Sequence, residues 1–347
     1  MTLTKIKFYN LLINWYDIQK RSLPWRDDPT AFRVWISEMM LQQTRVETVI
    51  PYFAEFVKRI PEVTILAKIT DDELYKLWQG LGYYNRAKNL KKAANIIMNE
   101  FDGVIPSTYE ELIMLPGIGP YSAGAISSIA FNKKYPAIDG NVLRVIARIF
   151  KFQNVLNDKI VKKKIEEKVK QLLPDKRVGD FNQALMEIGA IICLPKGKPN
   201  CLNCPFQFDC MAYREDLLQI IPAKKINNAR RIEYKTILLL HYNGLYAIHK
   251  RLERGLLSNL WEYPNFENYL SKEEVILLLQ NEGYSYSNIF DLEEKKHIFS
   301  HLEWYLIGYN IEVLSKPKTD LYEWVSLQDI KKVYSIPKAF QYFTPLK

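Results

Sequence analysis

The chain has 347 residues, of which 48% are hydrophobic, and this is enough to bury two cores. Its apolar stretches are short and interrupted by charged side chains, and no charged-then-apolar leader is evident, so a membrane protein is disfavoured and a soluble cytoplasmic protein is expected. The net charge is +9, and because residues 1–230 carry +10 whereas residues 231–347 carry −1, the first part is expected to bind a polyanion such as nucleic acid.

The first 217 residues show the spacing of amphipathic helices. Apolar residues recur every three or four positions in segments such as TDDELYKLWQGLG (70–82) and NRAKNLKKAANIIMNEF (85–101). Patterns typical of strands begin only after that point. A mostly helical domain is therefore predicted over residues 1–217.

Glu38 lies in a largely apolar helical segment, VWISEMMLQQT (34–44), whose spacing places around it on one face Val34, Trp35, Leu41 and Gln42. A carboxyl group in such surroundings would be partly desolvated. Its pKa would then be raised, and it could stay protonated near neutral pH and act as a general acid. The alternative is an ordinary glutamate on the solvent face of the helix.

The segment LPGIGPYSAGAI (115–126) has the pattern of a helix-hairpin-helix motif. Gly117 and Gly119 would let the backbone turn tightly and approach a phosphate, and the next helix would offer its free amide groups to that anion. The alternative is a plain turn between two helices, which would explain one glycine but explains the whole LPGIGPY string less easily. DNA phosphate binding is the favoured interpretation.

Asp139, in PAIDGNVLRV (136–145), precedes a helix expected to begin at Asn141. As the N-cap of that helix it would keep a low pKa and a fixed negative charge. Capping alone explains its presence. However, one protonated acid and one fixed anion are also the pair that cleavage of a glycosidic bond needs, so Glu38 and Asp139 together are candidates for that chemistry.

All four cysteines of the chain fall within one 18-residue window with the spacing C-x7-C-x2-C-x5-C. They are Cys193, Cys201, Cys204 and Cys210. Crowding four thiols into one loop favours a metal site over disulfides. The spacing leaves zinc and a 4Fe-4S cluster nearly even, because zinc sites usually pair two C-x2-C knuckles and only one is present.

A linker is predicted over residues 218–230, followed by an α+β domain over residues 231–347. Its strands are indicated by EYKTILLLHY, GLYAIHKR and HLEWYLIGYNIEVL, which are rich in β-branched and aromatic residues. A helix is predicted to start at Ser271, which forms a capping box with Glu274.

The N-terminal part resembles the MutY-type adenine DNA glycosylases of the endonuclease III superfamily, because seven of its segments occur in that family's order. They are LPWR (23–26), SEMMLQQTRVETVIPYF (37–53), GLGYYNRAKNL (80–90), LPGIGPYSAGAI, DGNVLRV (139–145), FNQALMEIGA (181–190) and the cysteine run. The resemblance implies a monomer with a two-lobed helix-hairpin-helix fold, double-stranded DNA in its cleft and a 4Fe-4S cluster. One departure is the first cysteine interval, commonly six residues in the family and seven here.

The resemblance also implies which residues act on the substrate, a flipped adenine opposite 8-oxoguanine or guanine. Glu38 matches the acid that protonates adenine, and Asp139 matches the anion that stabilises the positive charge growing on the sugar. Asn141 resembles a residue that hydrogen-bonds beside that aspartate, and Glu187 a second carboxylate that orients the reacting groups. Tyr121 stands where bifunctional relatives carry a Schiff-base lysine, so a monofunctional glycosylase that leaves an abasic site is expected.

Further DNA contacts are implied by position in the same family. Trp25 and Arg26 resemble the wall of the adenine pocket. Gln43 and Tyr83 resemble residues that fill the DNA stack near the damaged base and so offset part of the cost of extruding adenine. Aromatic residues at helical spacing are usually core residues, and this is the alternative for Tyr83.

The C-terminal part resembles the Nudix-like domain with which these glycosylases recognise 8-oxoguanine, through LLSNLWEYPNFE (256–267) and FSHLEWYL (299–306). The Nudix hydrolase signature is missing after Pro264, so a binding module is expected and a pyrophosphatase is not. The residues that match the lesion-contacting loop are Phe299, Ser300 and His301. The alternative is a strand end with a hydrogen-bonded histidine.

Three function classes follow. The first is excision of adenine opposite 8-oxoguanine, the second is a glycosylase for another mismatch such as thymine opposite guanine, and the third is a DNA-lesion binding protein without catalysis. The first places the protein in the cytoplasm, associated with the nucleoid.

Overall fold

A computed structural model of the chain describes residues 3–153, 158–223, 229–315 and 321–345. The chain forms two compact units, each built from two segments. Unit 1 comprises Met1–Lys68 and Lys88–Ile226, and unit 2 comprises Ile69–Ala87 and Asn227–Lys347. The domain limits 1–217 and 231–347 stay a prediction, and residues 224–228 of the predicted linker lie outside the described residues.

Thirteen α-helices are described before the first strand. They are α1 Lys5–Gln19, α2 Pro24–Asp27, α3 Ala31–Leu41, α4 Val46–Arg59, α5 Val63–Lys68, α6 Asp71–Trp78, α7 Asn85–Glu100, α8 Tyr109–Leu112, α9 Pro120–Ile129, α10 Gly140–Phe150, α11 Lys159–Leu172, α12 Val178–Ile191 and α13 Met211–Arg214. Of these, α6 belongs to unit 2. Among the described residues, none of the helices combines the length and the apolar character that crossing a bilayer requires.

Side-chain caps set where several of these helices begin. The hydroxyl of Thr30 accepts the amide of Arg33 at the start of α3, and the carboxylate of Asp139 accepts the amide of Val142 at the start of α10. Helix α9 instead begins with Pro120, whose missing N–H would have had no partner at that position. The predicted helical character of the N-terminal part is confirmed.

Helix α12 occupies the centre of unit 1 and packs against α1, α9 and α10. The core between these helices and α11 is apolar and includes aromatic rings, among them Phe8, which stacks on Phe206 at a ring-centroid distance of 4.5 Å. This core extends to the cysteine loop through buried Cys210. Because this core holds α12 in place, the polar side chains on the face of α12 that points away from the core start from a fixed backbone position.

Unit 2 contains one mixed seven-stranded sheet together with three further helices. The elements are β1 Arg231–Tyr242, β2 Leu245–Lys250, β3 Trp261–Glu262, β4 Asn265–Glu267, α14 Lys272–Asn281, β5 Tyr286–Ile298, β6 Leu302–Val313, β7 Glu323–Ser326, α15 Leu327–Lys332 and α16 Lys338–Gln341. The strand order is β3-β2-β1-β6-β5, with β4 paired to β1 and β7 paired to β2. Strands β1 and β6 run parallel, and the other pairs are antiparallel.

Both faces of this sheet are covered, which explains why the middle of β1 reads as a continuous apolar run. Ile237 and Leu239 pack on the side of α15 and α16, whereas Leu238 and Leu240 pack on the side of α14. The predicted capping box between Ser271 and Glu274 is present at the start of α14. The predicted combination of a helical part and an α+β part is confirmed.

Candidate active site

One cavity of about 540 Å³ opens within unit 1, a volume within the ~300–1,000 Å³ typical of small-molecule sites. Helices α2, α3, α9, α10 and α12 supply most of its wall. The cavity brings together eight of the residues predicted from the sequence. They are Trp25, Arg26, Glu38, Gln43, Tyr121, Asp139, Asn141 and Glu187.

Glu38 is buried on α3 with 5% of its surface exposed, so the alternative of a solvent-facing glutamate is wrong. Its Oε2 atom has no hydrogen-bond partner among the described residues. Burial raises the pKa of this carboxyl to about 7, and the nearby charge of Asp139 adds to the effect, whereas the Tyr121 hydroxyl partly opposes it. A large fraction of Glu38 is therefore protonated at neutral pH, as a general acid must be.

Asp139 caps α10 as predicted, with its Oδ1 accepting from the Val142 amide at 2.8 Å. Its Oδ2 accepts from Asn141 Nδ2 at 2.7 Å. The prediction of a low pKa was wrong, because burial raises the pKa of Asp139 by more than these two hydrogen bonds lower it. The sequence showed the capping position but not the depth of the cavity wall in which the carboxyl lies.

Glu187 is held by two arginines and has 1% of its surface exposed. Arg21 donates to it from Nε at 2.7 Å and from Nη2 at 3.0 Å, and Arg26 donates from Nη2 at 2.8 Å. Burial alone would raise the pKa of this carboxyl, but the hydrogen bonds from Arg21 and Arg26 lower it to about 2. Glu187 therefore stays ionised while Glu38 is protonated in the same cavity.

Arg21 is a functional candidate that the sequence analysis missed. It lies 166 positions from Glu187 in the chain, so only the packing of α12 against the N-terminal segment brings the two side chains together. Its backbone amide also donates to Glu187, at 3.0 Å. The only available signal was its position two residues before the predicted LPWR segment.

Tyr121 stands in the first turn of α9, and its hydroxyl lies 3.2 Å from the sulfur of Met186. Burial and the neighbouring charges of Glu38 and Asp139 raise the pKa of this phenol well above its ordinary value, so it is neutral. Trp25, which also lines the cavity, packs edge-on against Phe53 at a centroid distance of 5.4 Å. The cavity thus has flat, uncharged surfaces beside its carboxyl groups.

Asn141 connects Asp139 to the cysteine loop through Arg144. Nη2 of Arg144 donates to Asn141 Oδ1 at 2.8 Å, and its Nε donates to the carbonyl oxygen of Cys193 at 2.7 Å. Gly189 is needed beside this chain of bonds, because a Cβ atom there would lie 2.4 Å from the Cβ of Asn141. The orientation of Asn141 is therefore fixed from two sides.

The four cysteines line one small cavity together with residues of α10 and α12. Nη1 of Arg148 donates to the sulfur of Cys193 at 3.2 Å. Burial raises the pKa of Cys204 to about 12 and that of Cys210 to about 11, and mutual repulsion between thiolates adds to both, so these thiols stay protonated unless a bound cation displaces the protons.

The donor set at this cavity suits a metal group bound through sulfur. Cysteine thiolates hold both zinc ions and iron–sulfur clusters. Four thiols around a shared cavity, with an arginine beside them to offset negative charge, match the donor set of an iron–sulfur cluster.

Gly117 and Gly119 differ in what they allow. Gly117 has φ of 82°, and a Cβ atom there would lie 2.8 Å from the Cβ of Asn89, so both the backbone and the packing require glycine. At Gly119, the N-cap of α9, a Cβ atom would meet nothing within 4 Å. The helix N-terminus is thus open to an approaching phosphate, as the helix-hairpin-helix interpretation requires.

Two predicted DNA-stack residues have left-handed backbone conformations. Gln43, after α3 in unit 1, has φ of 58°, and Tyr83, in unit 2, has φ of 47°. Non-glycine residues in this region are uncommon and cluster at functional sites. Tyr83 also has 46% of its surface exposed, so the alternative of a core aromatic does not hold for it.

Phe299, Ser300 and His301 form the turn between β5 and β6 in unit 2. Phe299 is anchored edge-on against Trp304 at a centroid distance of 4.8 Å, and its amide donates to the carbonyl of Leu302 at 2.9 Å. Ser300 and His301 are exposed, with the serine Oγ 3.3 Å from the histidine Nδ1. The anchored Phe299 thus holds the turn in place, and the turn exposes a hydroxyl and an imidazole.

Comparison with known proteins gives matches over both units. Residues 36–172 match the model of the HhH-GPD superfamily of base excision DNA repair proteins, and residues 236–344 match that of the NUDIX domain. The adenine DNA glycosylase of Buchnera aphidicola subsp. Baizongia pistaciae is 38% identical over 88% of this chain and 86% of its own. That of Mus musculus is 34% identical over 85% of this chain and 68% of its own.

Solved structures resemble the helical part. A thermostable thymine-DNA glycosylase is 29% identical, with a TM-score of 0.56, and the match covers 61% of this chain and 97% of that one. Endonuclease III in a non-covalent complex with DNA is 20% identical, with a TM-score of 0.53 over 62% of this chain and 99% of that one, and shows the same fold.

Proposed function

This chain belongs to the adenine DNA glycosylase family of the HhH-GPD superfamily, and we propose that it hydrolyses the N-glycosidic bond of adenine mispaired with 8-oxoguanine or guanine in double-stranded DNA. The enzyme is monofunctional and leaves an abasic site. The observation that carries this proposal is the pair of differently ionised carboxyl groups in one cavity, protonated Glu38 and ionised Glu187, with Asp139 on the same wall.

Glu38 and Asp139 supply the two halves of the reaction. Glu38 donates its proton to the adenine base, which makes the base a better leaving group. Asp139, in its ionised form, offsets the positive charge that grows on the sugar as the bond breaks. Asn141 holds Oδ2 of Asp139 and so keeps the carboxylate directed at the reacting sugar.

Glu187 and Tyr121 limit what else can happen in the cavity. Glu187 is an acceptor already engaged by Arg21 and Arg26, so its role is to position Arg26 and the wall of the pocket. Tyr121 is a neutral phenol, and a phenol cannot form an imine with the sugar aldehyde. Without such an amine, this part of the cavity does not support strand cleavage.

The 4Fe-4S cluster expected for the family would be held by Cys193, Cys201, Cys204 and Cys210. When bound, it would supply structural cohesion to the loop, since base hydrolysis transfers no electrons. Cys204→Ser should abolish the absorbance of the cluster in the visible range and lower the thermal stability of the whole protein, measured by absorption and by thermal unfolding. Ser258→Ala, a polar change remote from the loop in sequence, is the control, and an unaltered visible spectrum in the Cys204 variant would contradict the ligand assignment.

The turn 299–301 is assigned to the base opposite adenine. Oxidation of guanine turns N7 into a donor and adds an acceptor at C8. The Ser300 hydroxyl and the His301 imidazole can each accept or donate a hydrogen bond, so together they can pair with the new N–H and the new oxygen. Replacing both Ser300 and His301 by alanine should therefore lower the preference for 8-oxoguanine over guanine by about tenfold, the scale of one or two neutral hydrogen bonds. The measurement is the ratio of single-turnover excision rates on the two duplexes. Excision opposite guanine serves as the internal control, and an unchanged ratio would refute the assignment.

The direct test uses the purified protein with a duplex carrying one adenine opposite 8-oxoguanine. A duplex with thymine opposite guanine runs in parallel, since the thymine-DNA glycosylase likeness gives that second substrate a specific basis. Alkali-dependent breaks at adenine alone are the expected result. Breaks at thymine would favour the second substrate, breaks without alkali would contradict the monofunctional assignment, and no breaks would favour a lesion-binding protein.

A further inference from the structure

The segment Ile69–Ala87 lies inside the stretch that matches the HhH-GPD model, yet by its contacts it belongs to unit 2. It contains α6 and the loop that carries Tyr83. The chain therefore leaves unit 1 at residue 68, contributes this segment to the unit that bears the turn 299–301, and returns at residue 88.

The polar face of α6 is bonded to the C-terminal part of unit 2. Lys76 Nζ donates to the carbonyl oxygens of Ile330 at 3.3 Å and Tyr334 at 3.1 Å, next to the end of α15. A cation there offsets the negative end of the helix. Lys76 is half-buried, and burial lowers its pKa to about 8, so its hydrogen bonds are made in a partly desolvated environment.

Two further side chains flank Lys76. Asp72 accepts from the indole nitrogen of Trp261 at 2.9 Å and from Lys250 Nζ at 3.0 Å. Gln79, one turn beyond Lys76, donates to the carbonyl of Ile336 at 2.9 Å. These three side chains lie along α6 and at its C-cap, and they bond to strands β2 and β3 and to residues 330–336, so the helix is fixed in both position and rotation.

The loop beyond α6 transmits this fixation to Tyr83. Trp78 Nε1 donates to the carbonyl of Gly82 at 3.2 Å, and Arg86 Nη2 donates to the carbonyls of Leu81 at 3.1 Å and Gly82 at 3.0 Å. The Arg86 guanidinium also lies over the rings of Trp78 and Tyr83. These hydrogen bonds fix the loop that begins at the end of α6, and they therefore fix the position of the exposed Tyr83 ring.

We infer that Lys76, with Asp72 and Gln79, positions Tyr83 as part of the lesion-reading unit, so that the residue inserted into the DNA stack and the turn that contacts the oxidised guanine act as one body. This inference rests on the proposed function, which supplies the substrate. It assigns to Lys76 no contact with DNA. Its effect on excision is exerted through Tyr83.

The test is a double-mutant cycle between Lys76→Met and Tyr83→Ala on the duplex with adenine opposite 8-oxoguanine. Lys76→Met should lower the single-turnover excision rate by about tenfold, the scale of a lost hydrogen bond from a charged donor. In the Tyr83→Ala background the same change should have an effect below about twofold, because the residue through which Lys76 acts is gone. Equal factors in the two backgrounds would overturn the inference, since a merely structural role would act independently of Tyr83.

Matched variants complete the cycle. Lys331→Met removes an exposed lysine of α15 in the same unit and should leave the rate unchanged, and Lys76→Arg, which keeps the charge and donors, should restore most of it. If Lys76→Met does not fold, as judged by thermal unfolding, Asp72→Asn replaces it, because it keeps an acceptor for Trp261 and loses only the ion pair with Lys250.

Adenine excision by the unmodified protein distinguishes a failure of this inference from a failure of the proposed function. If the protein excises adenine, the cycle decides the role of Lys76 alone. If it does not, the proposed function has failed, and the same cycle is then measured as equilibrium binding of duplexes carrying 8-oxoguanine or guanine. Non-additive losses of binding preference would still support the positioning role, and additive losses would still overturn it.

Discussion

Glu38→Gln should abolish adenine excision while DNA binding remains intact. Glutamine has nearly the same shape but cannot donate the proton that the adenine base must receive. Loss of a general acid typically costs about 10²–10⁴-fold in rate. The measurement is single-turnover excision opposite 8-oxoguanine, with the dissociation constant for the same duplex as control. Unchanged turnover in this variant would remove Glu38 from the mechanism.

The same residue predicts how activity depends on pH. Because burial raises the pKa of Glu38 to about 7, the protonated fraction falls as pH rises above that value. The excision rate should therefore decline by roughly tenfold per pH unit on the alkaline side. A rate that is flat between about pH 7 and 9 would show that proton donation by Glu38 does not limit the reaction.

The Glu38→Gln substitution should raise the stability of the protein at alkaline pH although it removes activity, and this separates lost chemistry from lost folding. The pKa of Glu38 is about 7 in the folded protein against an ordinary value of 4.5, so its contribution to stability is full below the ordinary value and is lost as pH rises through about 7. Glutamine stays neutral. The inactive variant should thus be more stable than the parent above that pH, by at most ~3 kcal/mol in the free energy of unfolding.

Asp139→Asn should lower excision by about 10²–10³-fold, the usual scale for removing one electrostatic partner of a developing charge. The amide cannot offset a positive sugar, although it can still accept the Val142 amide and cap α10. The helix should therefore survive. Single-turnover rates and thermal unfolding are measured together, and a rate within about threefold of the parent would sink the assigned role.

Asp158→Asn is the matched control for this substitution. Asp158 caps α11 through the amide of Ile160 and is not among the residues that line the cavity. Its replacement changes the same chemical group at the same kind of helix position. A large loss of excision in the Asp158 variant would mean that weakened capping, and not the missing charge, explains the result at Asp139.

The elements and the principal carboxyl groups were accessible from the sequence because they depend on local pattern. Periodicity indicated α3, and the apolar neighbours of Glu38 indicated desolvation. Which face of α3 is buried could not be read from a helix that is apolar on several sides. The capping position of Asp139 was also local, whereas the burial that raises its pKa comes from other elements of unit 1.

Contacts between distant segments were the part that the sequence did not reveal. Arg21 meets Glu187 only after α12 packs against the N-terminal helices, and no local signal marks that meeting. The spacing of α6 resembles that of its neighbours, so nothing in it shows that Asp72 and Lys76 bond to residues far along the chain. Amphipathic spacing predicts that a helix is half-buried, but it does not name the partner.

The two-segment make-up of unit 2 has a consequence for shortened forms of the protein. Cutting the chain near residue 230, by a protease or a premature stop codon, leaves residues 69–87 in place but takes away Trp261, Ile330 and Ile336, to which the side chains of Asp72, Lys76 and Gln79 are bonded. The remaining fragment is therefore not an intact catalytic module with one accessory missing. Genetic complementation by such a fragment should fail more completely than complementation by a full-length chain altered only at Ser300 and His301.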